Sequence, residues 1–86
     1  MHIVDLRDGA ASLEFSTDEA EAVSRILARL GAKRTTTGAV HDLVTVGKDE
    51  LIYYFEWDEP CLIAKTPAGS KLLRRILAQL SQSKAA

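Results

Sequence analysis

A thiol beside an imidazole can form a nucleophile–base pair, and Cys61 with His2 or His41 is the one combination of that kind in this 86-residue chain. Cys61 stands between Pro60 and Leu62-Ile63-Ala64, an apolar strand in which a thiol is expected to be buried and unreactive. Neither histidine belongs to a catalytic motif. Metal binding has too few donors, because no two of His2, His41 and Cys61 are spaced to share a helical turn or a strand face, and two histidines cannot fill a catalytic zinc shell without carboxylates. The acid pairs Asp49-Glu50 and Asp58-Glu59 are adjacent in turns, where they diverge, whereas general acid–base chemistry needs carboxylates converging in a cleft. The expectation is a protein that is not an enzyme, with no cofactor and no metal.

Phosphate chemistry has one weak foothold. The glycines at 9, 31, 38, 47 and 69 each read as turn or capping residues, and none opens a glycine-rich loop. Ala68-Gly69-Ser70-Lys71 falls in the first turn of a C-terminal helix, whose backbone N–H groups and Lys71 could hold a phosphate, as most helix starts could.

The strongest signal is a surface rather than a catalytic group. Four of the five aromatic residues, Tyr53, Tyr54, Phe55 and Trp57, crowd into the run 51–57. As a strand, that run places Leu51, Tyr53, Phe55 and Trp57 on a core face and Ile52, Tyr54 and Glu56 on the other, so it is apolar on both sides. With Val44, Val46 and Leu62 as neighbours, Ile52, Tyr54 and Glu56 are expected to form either a second buried face or a partner-binding surface.

The elements that must carry these residues follow from periodicity and turn chemistry. Ile3 to Leu6 and Ala11 to Phe15 flank Asp8-Gly9, a hairpin signal. Ser16-Thr17-Asp18-Glu19 is a capping box, followed by Ala20, Val23, Ile26, Leu27 and Leu30 at helical spacing and by Gly31 as the left-handed stop. A meander follows: a weakly apolar edge strand at Lys33 to Thr37, then Val40 to Val46, a turn at Gly47 to Glu50, Leu51 to Trp57, and Cys61 to Lys65. Thr66-Pro67 caps a second helix with Leu72, Leu73, Ile76, Leu77 and Leu80 on one stripe and Lys71, Arg74 and Arg75 on the opposite side. Residues 81–86 have no apolar anchor beyond alanine and are expected to fray. The fold class expected is α+β in two layers, an antiparallel meander sheet joined by an N-terminal hairpin, with two helices in the order ββαββββα, and one domain over residues 1–86.

A helix, three antiparallel strands and a helix opened by Gly69-Ser70-Lys71, with Gly38-Ala39-Val40-His41 before a strand, is similar in outline to a double-stranded-RNA-binding domain over residues 18–80. That resemblance implies nucleic-acid binding through Lys71, Arg74 and Arg75. The chain departs from the family pattern where Leu72 and Leu73 follow Lys71 in place of further lysines, and its net charge of −1 gives little electrostatic drive toward a duplex.

Composition completes the reading. At 47% apolar and 27% charged residues, the chain is a globular mixture of a size that leaves stability marginal and benefits from a second subunit. Charge is segregated: acids dominate 1–21 and 48–60, and bases dominate 22–47 and 65–86. The single cysteine suits a reducing compartment, and the longest uncharged stretch is too short to cross a membrane. The expected function is a cytoplasmic protein-interaction module, a regulator, inhibitor or immunity-type partner that self-associates as a homodimer. Nucleic-acid binding is the alternative.

Overall fold

The computed structural model describes residues 1–55 and 59–85, with side chains through Ser81. Its elements are β1 (His2–Asp5), β2 (Ala11–Glu14), α1 (Ala20–Arg29), β3 (Lys33–Thr36), β4 (His41–Val46), β5 (Asp49–Tyr54), β6 (Cys61–Ala64) and α2 (Pro67–Ala85). The strands form one antiparallel sheet in the order β1-β2-β6-β5-β4-β3, so β3 to β6 are a meander and the N-terminal hairpin adds to it through β2. Both helices pack on one face, which is the expected α+β architecture.

Local chemistry explains each boundary. Asp8 and Gly9 adopt left-handed φ values of 57° and 79°, which turns the chain between β1 and β2. Glu19 Oε1 accepts from the Ser16 backbone N–H at 3.0 Å, closing the capping box across a 3₁₀ turn before α1. Val23, Ile26 and Leu27 of α1 are buried. At the start of α2, Thr66 Oγ1 accepts from the Gly69 N–H at 3.1 Å, the cap expected of Thr66-Pro67. The helix then continues to Ala85, five residues beyond the last leucine of its stripe, through residues that contain no helix breaker.

The β4–β5 hairpin differs from expectation. Its loop is only Gly47-Lys48, with Gly47 at φ 62° as in a type II′ turn, so Asp49 and Glu50 belong to the strand and not to the turn. At its other end β5 stops at Tyr54. Phe55 was expected in the core but is 39% exposed, although its N–H still bonds to the Val40 carbonyl at 2.9 Å. Glu56 and Trp57 lie outside the described residues.

The core fills the space between the sheet and the helices. Leu13, Leu51 and Leu62 from three adjacent strands meet Val23, Leu73 and Ile76 from the helices, all fully buried. Phe15 and Tyr53 close one end edge to face, with ring centroids 5.7 Å apart.

Candidate functional site

Strand alternation sends Leu51 and Tyr53 toward the helices and Ile52 and Tyr54 to the opposite side, which no described element covers. Register then specifies what joins them on that open face. Leu43, Ile52 and Ile63 lie directly opposite one another on β4, β5 and β6, and Ser12 on β2 and Val4 on β1 continue the row. A second row holds His2, Glu14, Cys61, Tyr54 and His41. Beside the apolar row, Leu43, Ile52 and Ile63 floor a groove of about 640 Å³ whose walls are Lys48, Asp49 and Glu50 of the hairpin and Lys65, Thr66 and Ala68 at the entry to α2.

Two of the expected partner-binding residues, Ile52 and Tyr54, are on this face. Val44, Val46 and Leu62 are not: they pair with Leu51, Asp49 and Tyr53 and share the helix side, where Val44 is 1% and Leu62 0% exposed. The reason is parity. Directly opposed residues share a face, and a loop with an even number of residues pairs even positions of β4 with odd positions of β5. Leu43 and Ile63 therefore take the places given to Val44 and Leu62, and that parity rule would have found them. Glu56 lies outside the described residues.

The chemistry-bearing side chains do converge on one sheet face, contrary to the expectation from their spacing, but Cys61 is not paired with either histidine. His2 Nε2 is 3.2 Å from Glu14 Oε1, and the His41 and Tyr54 rings stack with centroids 6.0 Å apart. Cys61 lies two strands from either histidine, about 10 Å across the sheet, too far for a nucleophile–base hydrogen bond. Burial pushes the Cys61 thiol above its ordinary pKa; a hydrogen bond with Ser12 opposes this, and the Glu14 carboxylate adds to the rise. The group is a thiol at neutral pH. It is half-buried on the open face and not in the core as its flanking residues suggested. Among the described residues no three His, Cys, Asp or Glu side chains are placed to hold a metal.

This chain matches no family model, no curated protein and no solved structure.

On the helix side, Lys71, Arg74 and Arg75 are exposed, but Arg74 is bound to Asp5 of the N-terminal hairpin at 2.7 Å. Gly69-Ser70 is a packing joint and not an anion cradle. Thr66 already takes the Gly69 and Ser70 N–H groups, Ser70 donates its hydroxyl to the Gly9 carbonyl, and a Cβ at Gly69 would lie 3.0 Å from the Ala64 methyl. Four strands, not three, separate the helices. A further polar cluster escaped the sequence reading: Arg34 on β3 bonds through Nε to Asp42 on β4, and its guanidinium lies 4.1 Å above the Tyr53 ring. It ties the exposed edge strand to the core.

Proposed function

We propose that this protein is a small protein-interaction module that presents the open face of its sheet to another polypeptide chain and performs no catalysis. The observation that carries this reading is the row Leu43, Ile52 and Ile63, a strip of large aliphatic side chains flooring a groove that no described element covers. Aliphatic residues placed next to one another across three strands are the usual mark of a contact surface. The absence of catalysis is supported by the protonated Cys61 thiol and its distance from both histidines. A regulator, inhibitor or immunity-type partner acting in the reducing cytoplasm fits a chain of this size with a lone cysteine.

The test compares wild-type and Ile52→Lys protein as immobilised baits in native extract, with soluble copies of the chain itself included among the possible captures. Proteins held by the wild type and released by Ile52→Lys support the reading. Captures unaffected by Ile52→Lys, or none at all, refute it.

A further inference from the structure

The open face is complementary to itself. The sheet has six strands with β6 and β5 at its centre, so a two-fold axis running along the strands between them, in the plane between two facing sheets, lays β6 of one copy over β5 of the other and β2 over β4. Registers carry the side chains with them. Ile63 of each copy then faces Ile52 of the other, and Cys61 faces Tyr54. Lys65, one residue beyond β6 and lining the same groove as Glu50, faces Glu50 of the second copy, and Glu14 faces His41. His2 and Lys33 lie on the edge strands opposite no charge.

We infer that the open face is the interface of a two-fold symmetric homodimer, in which the two sheets stack through the Ile52–Ile63 contacts flanked by Glu50–Lys65 pairs between copies. This rests on the reading of that face as a docking surface. Three observations favour a second copy over an unrelated chain. At the registered strand positions of the face, Glu50 and Glu14 each meet a base or an ionisable histidine, and no like charges are opposed. Among the described residues neither Glu50 nor Lys65 forms an ion pair within its own chain, so both are available to a partner. The size also suffices: six strands spaced about 4.8 Å, each presenting about five residues at 3.3 Å, give roughly 500 Å² per copy. Together the two faces reach about 1,000 Å², at the threshold for a specific interface, which predicts a weak, reversible dimer. The roughly 30° between strand directions in stacked sheets shifts residues nearest the axis least, which keeps the β5 and β6 contacts within side-chain reach.

The decisive experiment mixes two charge reversals. In Glu50→Lys alone and Lys65→Glu alone, both symmetry-related contacts become repulsive, and the dimer Kd is expected to rise about tenfold or more. In their equimolar mixture each contact of a heterodimer again pairs opposite charges, so native mass spectrometry at ~50 μM is expected to show heterodimers and few homodimers. An axis along the apolar row would instead set Glu50 against Tyr54 and Lys65 against Cys61, and mixing would rescue nothing. A wild-type dimer that Ile52→Lys dissociates, but whose charge variants dimerise normally or whose mixture stays monomeric, overturns the two-fold arrangement and leaves the docking face standing. A wild-type monomer at that concentration overturns self-association; the docking reading falls only if Ile52→Lys also releases no captured protein.

Discussion

Removing Arg34 is expected to cost far more stability than removing the acid it binds. Asp42 is the buried member of the pair, its side chain 9% exposed against 43% for Arg34, and its Oδ1 finds no partner among the described residues. Arg34→Ala strands a desolvated carboxylate, a change that costs about 3 to 5 kcal/mol in buried pairs. Water can enter where the half-exposed guanidinium stood, which lowers the expectation to about 2 to 3 kcal/mol, with the stacking on Tyr53, about 0.5 kcal/mol at such a site, included. Asp42→Val removes the carboxylate together with its unbonded oxygen, itself a cost of about 1 to 3 kcal/mol, and puts a β-branched side chain in a strand beside Val44. Arg34 can then hydrate without leaving the ring, so this variant is expected within about 1 kcal/mol of wild type. The double variant should be more stable than Arg34→Ala alone. Urea unfolding followed by far-ultraviolet circular dichroism measures all three; at a slope of about 1 kcal/mol/M, Arg34→Ala lowers the midpoint by roughly 2 to 3 M. An Asp42→Val protein as unstable as Arg34→Ala, or a double variant no better than the single, would refute the reasoning.

Neighbouring residues on β5 should behave oppositely in monomer stability: Leu51→Ala is expected to cost about 2 to 5 kcal/mol, while Ile52→Lys, measured by the same unfolding at concentrations too low for association, costs less than about 1 kcal/mol. Burial raises the Tyr53 phenol above its ordinary value, with Arg34 opposing and Asp42 adding, so the folded chain resists ionisation that the unfolded chain undergoes. Stability is therefore full below pH 10 and falls as pH rises through the unfolded and then the folded value; Tyr53→Phe should flatten that fall, and an unchanged alkaline slope would contradict it. Thiol labelling of Cys61 should be slow at neutral pH, accelerate above its ordinary value, and slow further as protein concentration rises, because the open face covers it in a dimer. Duplex RNA is expected to show no measurable affinity at physiological salt, with Arg74 held by Asp5; a submicromolar, salt-sensitive affinity lost on changing Lys71 and Arg75 to alanine would restore the nucleic-acid reading.

Local chemistry was legible in the sequence. Ser16 with Glu19, Gly31, Thr66-Pro67 and Asp8-Gly9 each mark a boundary through bonds formed within a few residues, and the apolar stripes of both helices follow from a period of 3.6. Those signals were enough for the α+β class, the meander and the weak edge strand at Lys33–Thr36. That β5 would be apolar on both sides was also visible in Leu51-Ile52-Tyr53-Tyr54. Tertiary structure alone decided three things. It joined β2 to β6, a pairing between residues some 50 positions apart that no turn specifies. It left the second face of β5 uncovered by any described element, deciding between the buried face and the open surface that Leu51-Ile52-Tyr53-Tyr54 allowed. It also brought Arg34 over Tyr53 and against Asp42 from three separate strands. Side-chain period and capping are set by the neighbouring backbone, whereas the choice of which apolar faces meet is made only when the whole chain collapses and buries the combination that removes most surface from water.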